Sequence, residues 1–188
     1  MLKKIIFTIL FSFFLITDSY SEESFISLEK LKNHDMDKVI FLRHALAPGN
    51  GDPSNFNVND CSTQRNLDQV GIVQSRMLGN TLKKIGIKFS KIYSSFWCRC
   101  KETALNMNIG EFKTHEGLNS FYEKHADRKL TLIKLNNLVK SFDKSGGPYL
   151  FVTHYVNILA FTGLSTSSGS MVAFDLNSQE SIHIKLND

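Results

Sequence analysis

The apolar positions along the chain follow two rhythms. Val39-Ile40-Phe41-Leu42, Tyr149-Leu150-Phe151-Val152 and Met171-Val172-Ala173-Phe174 are continuous runs rich in β-branched and aromatic residues. Such short runs, bounded by turn residues, predict strands buried on both faces over 38–42, 149–153 and 171–176. Shorter runs predict further strands at 91–95, 112–115 and 181–185. The second rhythm is helical. Val70, Val73, Met77, Leu78, Leu82 and Ile85 recur at steps of three and four, after Asp68 as an N-cap and before Gly86 as a stop. Gly71 in the first turn costs this helix about 1 kcal/mol. Leu132, Leu135, Val139 and Phe142 predict another amphipathic helix, ended by Gly146-Gly147-Pro148. Residues 98–107 and 156–161 predict two more, and the polar stretch 22–33 a short surface helix. Strands alternating with helices predict an α/β fold, a three-layer α/β/α sandwich around a mostly parallel central sheet.

The same pattern locates candidate chemistry. The first buried run ends in Arg43-His44, a later one ends in Thr153-His154, and Arg99 falls in the first helical turn after the 91–95 strand. In open α/β sheets the crevice outside the carboxyl ends of the strands is where ligands bind. A histidine ending one strand is more often a hydrogen-bonded structural residue than a catalyst. Here the repetition, with two arginines beside it, reverses that reading. Guanidinium forks match phosphate oxygens, and a helix N-terminus adds backbone donors. Neighbouring positive charge keeps an imidazole neutral and nucleophilic. Attack on phosphorus then needs a carboxylic acid to protonate the leaving oxygen.

Length and composition narrow the picture. The 188 residues suit one domain plus a processed segment, with 42% apolar and 21% charged residues, ordinary for a globular core. The net charge of +4 is mild and scattered, with no basic patch interleaved with aromatics, which argues against a nucleic-acid partner. Lys3 and Lys4 precede an apolar run from Ile5 to Ile16, and Ser19-Tyr20-Ser21 supplies small residues at a cleavage site. Residues 1–21 are therefore expected to be a cleaved signal peptide, leaving a single domain over 22–188 in the periplasm or secreted. The apolar run is short of the roughly 20 residues of a membrane span, so no stable insertion is expected after cleavage. An oxidising compartment permits a bridge from Cys61 to Cys98 or to Cys100, with buried free thiols as the alternative. The Cys98-Arg99-Cys100 pair alone does not make a zinc site.

Three ordered motifs then resemble the histidine phosphatase (phosphoglycerate mutase-like) superfamily. Val39-Ile40-Phe41-Leu42-Arg43-His44-Ala45 is similar to its Arg-His-Gly signature. Residues 93–104, with Ser94-Ser95, Arg99 and Thr103-Ala104, resemble its second motif, and Val152-Thr153-His154 its second-histidine motif. Thr63-Gln64-Arg65-Asn66-Leu67 ahead of a helix fits the same group. The resemblance implies that His44 becomes a phosphohistidine, that Arg43, Arg99 and His154 bind the phosphoryl group, and that Asn50 joins them as a polar pocket residue. Arg65 is either a support behind the pocket or a salt-bridged surface residue. The proton donor is implied to lie in 117–127, with Glu123 first and Asp127 second; His125 there is a further candidate acid, read first as an exposed loop residue, and His34, His115 and His183 are read as surface residues. Departures from the family pattern are Ala45 for Gly, Phe96 for Pro, Tyr155 after the second histidine, and Ser170 for Glu in the late Gly169-Ser170-Met171 turn. The implied activity is an exported, metal-independent and cofactor-free phosphatase acting on a small phosphorylated substrate. The alternatives are a non-catalytic phosphate-binding module and, with no long insertion to form a lid, less readily a phosphomutase.

Overall fold

Four consecutive buried side chains, Val39 to Leu42, place one strand at the middle of the molecule. The computed structural model describes residues 25–29, 31 and 37–186. Among the described residues the chain forms β1 (Phe25–Ser27), β2 (Lys38–Arg43), α1 (Gln69–Ile85), β3 (Lys91–Ser94), α2 (Cys98–Met107) and β4 (Phe112–Thr114). It continues through α3 (Arg128–Lys140), β5 (Tyr149–Thr153), α4 (Tyr155–Thr162), β6 (Met171–Asp175) and β7 (Ser181–Lys185). The strands make one sheet in the order β1-β7-β6-β2-β5-β3-β4. Pairing is parallel from β2 through β5 and β3 to β4, and between β1 and β7; β6 runs antiparallel to β2 and β7.

Alternation along the central strands divides the core in two. Ile40, Leu42, Leu150, Val152, Met171 and Ala173 pack with Leu78 and Leu82 of α1 and Ala104 and Met107 of α2. Val39, Phe41, Tyr149, Phe151, Val172 and Phe174 meet Leu135 and Val139 of α3 and Ile158 of α4 on the other face. Each such side chain, fully buried, contributes on the order of 1.5–3 kcal/mol. The expected three-layer sandwich with a mostly parallel sheet is the observed architecture.

Three details differ from the sequence reading. The stretch read as a surface helix over 22–33 opens with β1 on the edge of β7, and its helical residues Leu28 and Leu31 are buried in the core rather than exposed. Helix α3 starts earlier than its apolar periodicity, because Asp127 caps it by accepting the Leu130 N–H, and it ends before Gly146. Helix α1 has the expected bounds and caps, yet Val70, Val73 and Met77 are exposed and its buried face is Gly71, Ser75, Leu78, Gly79 and Leu82. The two glycines explain the rotation. A Cβ on Gly71 would lie 2.0 Å from the Leu46 carbonyl oxygen, and one on Gly79 would lie 1.9 Å from that of Met107. Close backbone approach is what offsets the helix propensity lost at Gly71. The expected signal peptide lies outside the described residues.

Candidate active site

The parallel register of β2 on β5 pairs Arg43 with Thr153, so the residues just beyond, His44 and His154, leave the sheet side by side. The His44 amide donates to the Thr153 carbonyl at 3.0 Å. The imidazole rings stand 5.4 Å apart at 68°. Both are almost fully buried, yet both line a cavity of about 180 Å³ with Arg43, Asn50, Arg65, Arg99, Ser120, Tyr122 and Tyr155. The convergence expected of His44, His154, Arg43, Arg99 and Asn50 is therefore present in the geometry.

The hydrogen bonds of His44 fix which nitrogen can react. Its Nδ1 lies 2.8 Å from the Ala45 carbonyl oxygen. A carbonyl only accepts, so Nδ1 carries the hydrogen and Nε2 keeps its lone pair. Burial, reinforced by the Arg99, Arg43 and Arg65 guanidiniums, pushes the His44 pKa down to about 3. The imidazole is thus neutral across the physiological range. The exit of β2 is pinned on both sides. The Ala45 amide donates to Thr103 Oγ1 of α2, and the Gly169 amide donates to the Arg43 carbonyl.

The largest feature missing from the sequence reading is Asp52. Its carboxylate takes both Nη atoms of Arg99, at 2.7 and 3.1 Å, within a pair whose side chains are each 3% exposed. It also accepts the Trp97 indole N–H and the Arg65 amide. Burial pushes the Asp52 carboxyl up, but the Arg99 fork and these donors outweigh it and hold it below the usual carboxylate range. Arg99 is therefore not committed wholly to a ligand. Its Nη1 also donates to the Arg65 carbonyl, while its Nε has no partner among the described residues. Arg43 behaves alike: Nη1 donates to the Thr166 carbonyl, and Nε has no partner there. Each arginine therefore retains an Nε–H donor with no protein partner among the described residues, the kind of donor that suits an oxyanion. Arg65 is a support of the wall, with Nε donating to the Gly51 carbonyl and Nη1 to that of Ala47.

The long loop that carries Asp52 is fastened to the start of α2 at two points. Cys61 is bridged to Cys98, with Cα atoms 5.7 Å apart, which leaves Cys100 free and buried. Gln64 Oε1 accepts the Cys98 amide at 2.9 Å. Of the two bridges open from the sequence, the structure holds the first.

The acid segment resolves into distinct roles. Glu116 pairs with Lys134, and Asp127 is engaged as the cap of α3 and borders a different cavity. Glu123 adopts a left-handed backbone, φ 54°, in a short 3-10 turn (Tyr122–Lys124). That turn lays its carboxylate against Gly51, where an added Cβ would lie 2.5 Å from Glu123 Oε2. Gly51 and Tyr122 line the cavity and Glu123 itself does not, so this carboxylate sits beside the edge of the cavity rather than in it. His125 is 3.6 Å from it and packs on Phe56. Two histidines read as surface residues are more enclosed than expected: His183 is buried on β7, and His115 accepts the Gly117 amide to start a turn.

No family model matches the chain, and no curated protein matches it in sequence. Solved structures do match in shape. The protein histidine phosphatase SixA complexed with tungstate has a TM-score of 0.54 at 16% identity, covering 78% of this chain and 93% of that one. The mycobacterial glucosyl-3-phosphoglycerate phosphatase with inorganic phosphate gives 0.53 at 14% identity, covering 78% and 95%. The Thermus thermophilus protein TTHB049 gives 0.51 at 15% identity, covering 73% and 93%. The chain has the histidine phosphatase fold. Within that fold, the cavity lies at the carboxyl ends of the parallel strands, where side chains from distant stretches meet.

Besides Asp52, sequence reasoning missed Ser95, Asn119 and Gln64, which satisfy the turn leading into the histidine phosphatase fold's second helix. The Phe96 amide and Ser95 Oγ both bond Asn119 Oδ1, at 3.0 and 3.2 Å. One signal was available. Three arginines around two histidines need a counter-charge, and Gly51-Asp52-Pro53 places a carboxylate in the loop between them.

Proposed function

We propose that the protein is an exported, metal-independent phosphatase that hydrolyses a phosphomonoester through a phosphohistidine on His44. The observation that carries this reading is the His44 imidazole itself: Nδ1–H is held by the Ala45 carbonyl, and Nε2 is unprotonated in a cavity walled by three arginines. The Nε2 lone pair forms the P–N bond as the bond from phosphorus to the leaving oxygen breaks. Arg43, Arg99 and His154 bind the phosphoryl oxygens, where positioning and electrostatics supply most of the catalysis. Asn50 borders the same oxygens. Glu123 gives its proton to the leaving oxygen, then takes one from the water that cleaves the P–N bond. Asp52 is tied to Arg99 and held ionised, which suits it to orienting rather than to proton donation. Tungstate on SixA and phosphate on the mycobacterial enzyme are tetrahedral oxyanions of the kind this cavity would take. The Cys61–Cys98 bridge supports an oxidising compartment, periplasmic or extracellular.

The test is turnover of p-nitrophenyl phosphate by the chain beginning at Glu22, in the presence of EDTA. Activity that disappears in His44→Ala, with a phosphate trapped on the wild-type chain after an acid-free quench, is the expected result. Tight phosphate binding with no turnover would instead identify a phosphate-binding module. Mass analysis of protein exported by its own leader checks the cleavage after Ser21.

A further inference from the structure

The two histidines present opposite nitrogens, and counting hydrogens shows why. Around His154, Nε2 lies 3.0 Å from Ser95 Oγ and 3.4 Å from Cys100 Sγ. Asn119 Oδ1 accepts the Phe96 amide, so that atom is an acceptor. Ser95 Oγ lies 3.2 Å from the same oxygen and donates its single hydrogen to it. With its hydrogen spent, Ser95 Oγ accepts from the Trp97 amide at 3.3 Å and from His154 Nε2. Nε2 therefore carries the ring hydrogen of His154, and Nδ1 is bare. Ser95 and Cys100 do not line the cavity, whereas His154 does. As N-cap of α4, His154 makes no side-chain bond to that helix, so Nδ1 is not occupied there.

A bare nitrogen repels a phosphate oxygen unless a hydrogen lies between them. Resting on the reading of the cavity as a phosphate site, we infer that Ser95, held by Asn119, is a positioning residue that locks His154 with Nδ1 unprotonated, so that the site takes up one proton with each phosphate dianion. That proton is shared between Nδ1 and a phosphate oxygen. The groups facing His154 explain why it is absent beforehand. His44 comes from the end of β2, Arg43 from the same strand, Arg65 from the long loop, and Arg99 and Cys100 from α2; Trp97 closes one side with its ring centroid 5.4 Å away. The Asp52 carboxylate is engaged by Arg99. Burial and these cations hold His154 well below the ordinary histidine value, and only the incoming dianion supplies the compensating charge.

Calorimetric titration of the wild-type protein with inorganic phosphate at about pH 8, in buffers of different ionisation enthalpy, reads the proton count directly. At that pH inorganic phosphate is mostly the dianion, although its second ionisation lies above the value of about 6 for its esters. The expected result is uptake approaching one proton per phosphate, with affinity falling about tenfold per pH unit above about pH 8. Ser95→Ala frees the ring to carry its hydrogen on Nδ1, so uptake drops towards zero and the pH slope flattens; Ser95→Thr restores both. A merely structural Ser95 would weaken binding equally at every pH. Binding without proton uptake in the wild type overturns the inference while leaving the phosphate site standing. Loss of uptake in Cys100→Ala but not in Ser95→Ala would assign the hydrogen to the thiol and overturn it too. No phosphate binding at any pH would remove the site, and both readings with it.

Discussion

The floor and the rim of the cavity are built in different ways. The floor is set by strand register: β2 and β5 each end in a histidine, and parallel pairing brings the rings together with almost no solvent exposure. The rim comes from two segments without strand partners, one carrying Asp52 and the other Glu123. They are positioned by a few discrete contacts: the first by the Asp52 fork on Arg99, the bonds of Asp52 to Trp97 and the Arg65 amide, and the Cys61–Cys98 bridge, the second by a left-handed turn over Gly51. Register is enforced by every residue of a ladder, because a slip of one position turns the whole strand inside out. A loop held by a few contacts loses its place when one is cut. The floor should therefore lose chemistry without losing structure, whereas the rim should lose both.

The strongest way to break the contrast is Asp52→Ala. It leaves Arg99 buried without its counter-charge, and breaking a buried pair costs about 3–5 kcal/mol. Urea denaturation should show this loss together with a fall in kcat/KM, whereas His44→Ala should abolish turnover at nearly unchanged stability. Equal midpoints for Asp52→Ala and wild type would sink the assignment of Asp52 as the anchor. Next is the bridge: Cys61→Ser with Cys98→Ser opens a crosslink spanning 37 positions. Loops of this size are worth about 3–4 kcal/mol in the chain-entropy account, so a lowered melting temperature and a raised KM are expected. Glu123→Gln should reduce kcat about 100-fold for alkyl phosphates, the usual scale for a lost general acid. With p-nitrophenyl phosphate, whose leaving group needs little proton assistance, the loss should be small, and an equal loss for both substrates rules Glu123 out as the acid.

The smallest effect is on acid stability. His44 has a folded pKa of about 3 against 6.5 for a free histidine, so the unfolded chain binds the extra proton between those values. Stability from this group is full above about pH 6.5 and is lost as pH falls, by about 2 kcal/mol at pH 5. Denaturation at pH 7 and pH 5 should show the drop in wild type and less of it in His44→Gln. An identical drop in both would place its origin elsewhere.

The same contrast governs what could be read in the chain. The central strands, the caps of α1 at Asp68 and Gly86, and the meeting of His44 with His154 followed from local pattern, since period and caps are written in adjacent residues. The face on which α1 packs did not follow, because Val70, Val73 and Met77 of its apolar stripe point outward while Leu78 and Leu82 are buried, and the close approach of Gly71 and Gly79 decides the rotation. β1 was misread for a related reason: three residues on a sheet edge carry too short a pattern to outweigh a polar background. Asp52 lay in view as part of a turn. Its function depends on a fork reaching across 47 positions, which no local period reports. Ser95 and Asn119 act through hydrogen counts, and these appear only when neighbouring donors are known.

Helix α1 has one more consequence. At Gly71 and Gly79 it meets the segment after His44 and the end of α2 with main chain against main chain, and no side chain lies in the gap. The spacing between the strand that leads to His44 and the helix that bears Arg99 is thus gauged by the thickness of peptide groups, which is the same for every amino acid. Side-chain drift elsewhere can reshape the mouth of the cavity and its choice of substrate, while this calliper keeps the distance across its base constant.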